Sequence, residues 1–76
     1  MPYLQRLLKN LIENNELILK EGVSFPALLA EIQQRLLENQ SAVQVGEWLG
    51  KTLLQSDLVE ELYITDKEIY QRLSEL

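Results

Sequence analysis

The chain has 76 residues, a net charge of −5, a hydrophobic fraction of 46%, and neither cysteine nor histidine. Length allows one domain, taken as 1–76, whose core is small enough that self-association would help it. The missing residue types exclude disulfides, thiolate or imidazole metal ligands and a histidine general base.

Charge is uneven along the chain. Residues 41–76 hold three basic and seven acidic side chains and carry −4 of the −5. Phosphate binding needs the opposite sign, so neither nucleic acid nor an anionic membrane is a favoured partner. Apolar runs such as Ala27-Leu28-Leu29-Ala30 are too short for a membrane span or signal-peptide core, and the default compartment is cytoplasmic.

Residues 3–20 read as the first helix. Leu4, Leu7, Leu8, Leu11, Ile12, Ile18 and Leu19 fall mostly on one face, and Pro2 suits a first helical position. Asn14 and Asn15 weaken its middle. Gly22 suits a left-handed helix stop, with Val23 folding back on Ile18. Ser24 then caps a second helix over 25–38, with Val23 and Leu28 as a staple and Phe25, Leu28, Leu29, Ile32 and Leu36 on its apolar face. The short connection predicts an antiparallel hairpin of these two helices.

After a break at Asn39-Gln40, Ser41 and Gln44 fit a capping box for a third helix over 42–55. This stretch holds the single Trp and two of the three glycines. Ala42, Gly46 and Gly50 recur every four residues and form a stripe with almost no side chain. Two interior glycines cost a helix roughly 1 kcal/mol each relative to alanine. That cost implies a close neighbour, either a helix of the same chain, with Leu4–Ile12 or Leu28–Leu36 as candidates, or a second copy. Ala42, Gly46, Gly50, Trp48 and Leu49 are therefore the candidate residues for partner binding or close helix packing. Gly50 is placed at the edge of the stripe.

Ser56-Asp57 interrupts the pattern. Asp57 with Glu60 gives a weaker capping signal for a short helical segment near 58–63. Leu62-Tyr63-Ile64-Thr65 also suits a strand by propensity, but a lone strand has no partner, so helix and turn are preferred. Thr65-Asp66-Lys67-Glu68 is a full capping box with Ile64 and Ile69 as its staple, and it opens a fourth helix over 66–75. Each main helix carries one Glu-before-base pair at i,i+4: Glu16–Lys20, Glu31–Arg35, Glu47–Lys51 and Glu68–Arg72. Such pairs mark solvated faces.

The expected fold is all-α: a bundle of four main helices plus the short segment. No catalytic residue, cofactor site or metal site is identified. Serine has no base to activate it, and Glu60 and Glu61 diverge by about 100° on a helix. The same acids lack the alternating pattern of a calcium loop. The reading is a non-enzymatic interaction module that binds a protein partner or itself, as a homo-oligomer, through helix faces. Surplus apolar positions at Leu17 and Leu37 motivate it. The alternative is a DNA-associated regulator, since the spacing of Ala42 and Gly46 resembles the helix-turn-helix motif, although a recognition helix here would be acidic. A small enzyme ranks last.

Overall fold

The computed structural model describes residues 2–35 and 42–75. They form four helices and one two-stranded antiparallel sheet, so the protein is mostly helical but not all-α. The order is α1 (Pro2–Glu13), β1 (Leu17–Leu19), α2 (Phe25–Arg35), α3 (Ala42–Gln55), β2 (Val59–Leu62) and α4 (Asp66–Glu75). The Ser41 cap, Leu36, Leu37, the break at Asn39-Gln40 and the last turn expected for the second helix lie outside the described residues, as does the side chain of Ala42.

The first correction concerns residues 3–20. The helix stops at Glu13 because Asn15 adopts a left-handed conformation, with φ of 58°. The Asn15 N–H donates to the Ile12 carbonyl at 3.1 Å and the Glu16 N–H to the Leu11 carbonyl at 2.9 Å. These are the two bonds of a Schellman stop, built on asparagine, the commonest substitute for glycine there. The stop expected at Gly22 thus occurs seven residues earlier. Gly22 does take positive φ, 84°, but in the turn that closes Val23 N–H onto the Lys20 carbonyl at 3.1 Å. Residues 17–19, freed from the helix, become β1.

The second correction is its partner. The segment near 58–63, expected as helix, is β2. Leu17 lies opposite Leu62, Ile18 opposite Glu61 and Leu19 opposite Val59, leaving Glu60 as an extra residue in a bulge. The ribbon runs on at both ends: Tyr63 N–H donates to the Glu16 carbonyl at 2.8 Å and Lys20 N–H to the Leu58 carbonyl at 3.0 Å. The bulge explains the misreading. Val59 and Leu62 are three residues apart, a helical spacing. A plain strand would point them to opposite faces, but one inserted residue restores a shared face. Val59 is buried and Leu62 half-buried, while Glu60 and Glu61 are exposed.

The turn into β2 is capped by Ser56 rather than Asp57. Ser56 is buried, and its hydroxyl accepts the Leu58 N–H at 3.1 Å. At α2 the Ser24 cap forms as expected, with Oγ accepting the Ala27 N–H at 3.3 Å. The α4 capping box is complete: Thr65 Oγ1 accepts from Glu68 N–H at 3.2 Å, and a Glu68 carboxylate oxygen accepts from Thr65 N–H at 3.3 Å.

One core joins all six elements. It contains Leu4, Leu7, Leu8 and Leu11 from α1, Leu17 and Val59 from the ribbon, and Leu28 and Ile32 from α2. Val45, Leu49 and Leu53 enter from α3, Ile64 from the connection, and Ile69 and Leu73 from α4. Leu17, part of the apolar surplus seen in the sequence, is only 1% exposed.

Candidate functional site

α3 and α4 pack closely, and the glycines permit it. A Cβ built on Gly46 would lie 3.3 Å from Tyr70 Cβ and 3.5 Å from Tyr70 Cα. One built on Gly50 would meet the Asp66 carboxylate and lie 3.5 Å from Ile69 Cδ1. Both glycines are buried. Asp66 and Tyr70 repeat the four-residue spacing of Gly50 and Gly46 in reverse order, so two matched stripes face each other on antiparallel helices. The neighbour of the stripe is therefore α4, rather than the first or second helix, and Gly50 lies under it rather than at an edge.

The other candidates separate. Leu49 is fully buried in the core. Trp48 is about 200° around α3 from Gly46, packs against the core's margin, and buries an indole N–H with no hydrogen-bond partner. The structure thus sets Gly46 and Gly50 against α4, with Leu49 beside them in the core shared with Ile69 and Leu73, and places Trp48 on another side of α3. α3 continues unbroken through Gly46, so no turn follows Ala42 in the manner of a helix-turn-helix.

Where the stripes open to solvent, Gly46, Glu47, Asp66, Lys67 and Tyr70 line a shallow groove of about 300 Å³. Gly46 contributes its floor by leaving room, and the 42%-exposed Tyr70 supplies an aromatic wall. Glu47, Asp66 and Lys67 are exposed at its rim. Such a shape can seat an apolar side chain between polar margins. Sequence alone gave Asp66 and Lys67 a place only in the capping box of α4, and no role to their neighbour Tyr70 in this groove. The four-residue spacing of Asp66–Tyr70 matches that of Gly46–Gly50, but the match has meaning only once α3 and α4 are known to be neighbours.

α4 is also clamped from its opposite side. Arg72 donates from Nη1 and Nη2 to the two carboxylate oxygens of Glu16 at 2.8 and 3.0 Å, and from Nη1 to Asn10 Oδ1 at 2.9 Å. Asn14 donates to that same Asn10 oxygen at 3.4 Å. A two-pronged bond of this kind fixes direction as well as distance. The Glu16 carboxylate holds the Arg72 pKa above its already high ordinary value. Leu7, Asn10, Asn14, Arg72 and Glu75 line a second hollow of about 310 Å³ beside this clamp.

Two of the four expected i,i+4 pairs are re-partnered. Glu16 takes Arg72 instead of Lys20, and Glu68 turns to Thr65. The Thr65 hydroxyl and backbone bonds hold the Glu68 carboxyl below its ordinary pKa of 4.5. Glu31–Arg35 forms, at a long 3.9 Å. Among the described residues no three His, Cys, Asp or Glu side chains converge to hold a metal ion, and no helix is long and apolar enough to cross a membrane. Compared with protein-family models, with curated proteins and with solved structures, the chain matches none.

Proposed function

We propose that the protein is a non-enzymatic interaction module that engages a protein partner, a different chain or a second copy, through the outer face of α3 and α4. The observation that supports it is the groove floored by Gly46 and walled by the half-exposed ring of Tyr70. Aromatic side chains beside a concavity are frequent anchors of binding energy. The glycines themselves are occupied by α4, so what remains for a partner is the groove above them.

Light scattering over a wide dilution series reads self-association. A peptide-display selection on the wild type, counter-screened on Tyr70→Ala, reads a different partner. The reading expects either a dimer that Tyr70→Ala dissociates, or peptides with an apolar anchor that Tyr70→Ala fails to retain. A monomer that selects no Tyr70-dependent peptide overturns it.

A further inference from the structure

We draw no further inference here: the strongest candidate, the outer face of the β1–β2 ribbon where exposed Tyr63 stands near Glu60 and Glu61, is an unpartnered face, and nothing in the structure shows what covers it.

Discussion

The α3–α4 contact and the β1–β2 ribbon stabilise the same core by different means. The helix pair follows from local spacing: two glycines four apart on α3, and Asp66 and Tyr70 four apart on α4. The ribbon follows from two segments about forty residues apart, each too short and too irregular to announce itself. An isolated two-stranded ribbon is marginal in water, so this one depends on the core beneath it. A helical glycine tolerates a methyl only where the atom facing it can yield, whereas a strand pair tolerates much on its outer face and little on its inner one.

The largest expected effect tests whether the ribbon belongs to the core. Leu17→Ala removes a side chain that is 1% exposed and should cost about 2–5 kcal/mol in denaturant unfolding. Leu54→Ala, at 67% exposure on α3, should stay within about 0.5 kcal/mol. If the two substitutions cost the same, β1 does not pack as described.

Next comes the stop that releases β1. Asn15→Ala places an alanine at φ 58° and should lose about 1 kcal/mol, while Asn15→Gly should lose nothing. A stabilised Asn15→Ala would mean that α1 continues through this position.

The glycines sharpen the other side of the comparison. Alanine at either site gains up to about 1 kcal/mol from helix propensity. At Gly46 the new methyl presses on Tyr70 Cβ, which moves only if α4 moves. Ile69, Leu73 and the Arg72 clamp hold α4, so overpacking should win and leave a net loss of up to about 1 kcal/mol. At Gly50 the obstacle is the end of an exposed Asp66 side chain that can turn away, so Gly50→Ala should be neutral or slightly stabilising. Both outcomes should persist at dilutions where the protein is monomeric, because the contact lies within one chain. A Gly46→Ala loss that vanishes in the dilute monomer would place the stripe at a dimer contact instead.

The smallest effects are electrostatic. Arg72→Met should lower the melting temperature, and added salt should narrow the gap to wild type by screening the Glu16–Arg72 pair in the native protein. At the α4 cap, Glu68 has a folded pKa below its unfolded one. Its contribution is therefore complete above the ordinary value of 4.5 and is lost as pH falls through the folded pKa. Thr65→Ala should be destabilising near neutral pH and should flatten the fall in melting temperature in acid. An unchanged acid slope would mean the capping box does not form.

What was legible in the sequence was what is encoded locally. The Ser24 cap, the Thr65–Glu68 box and the α1 face of Leu4, Leu7, Leu8 and Leu11 each need only a few neighbouring residues. The close packing implied by Gly46 and Gly50 was legible too, but its partner was not, because a glycine records only that something is near. The ribbon was hidden by three particulars. Leu17-Ile18-Leu19 has no alternation, the bulge at Glu60 gives Val59 and Leu62 a helical spacing, and Asn15 resembled a weak point rather than an end. Each acquires its meaning only once the distant strand is in place. The groove at Tyr70 was illegible for the same reason, since its two walls come from different helices.

Amide hydrogen exchange read by NMR tests the ribbon most directly. The account predicts protection of the Tyr63 and Lys20 N–H groups, whose acceptors are the Glu16 and Leu58 carbonyls, with cross-strand contacts between Ile18 and Glu61. Unbroken helical amide–amide contacts from Glu13 through Lys20, without any contact to residues 59–62, would contradict it.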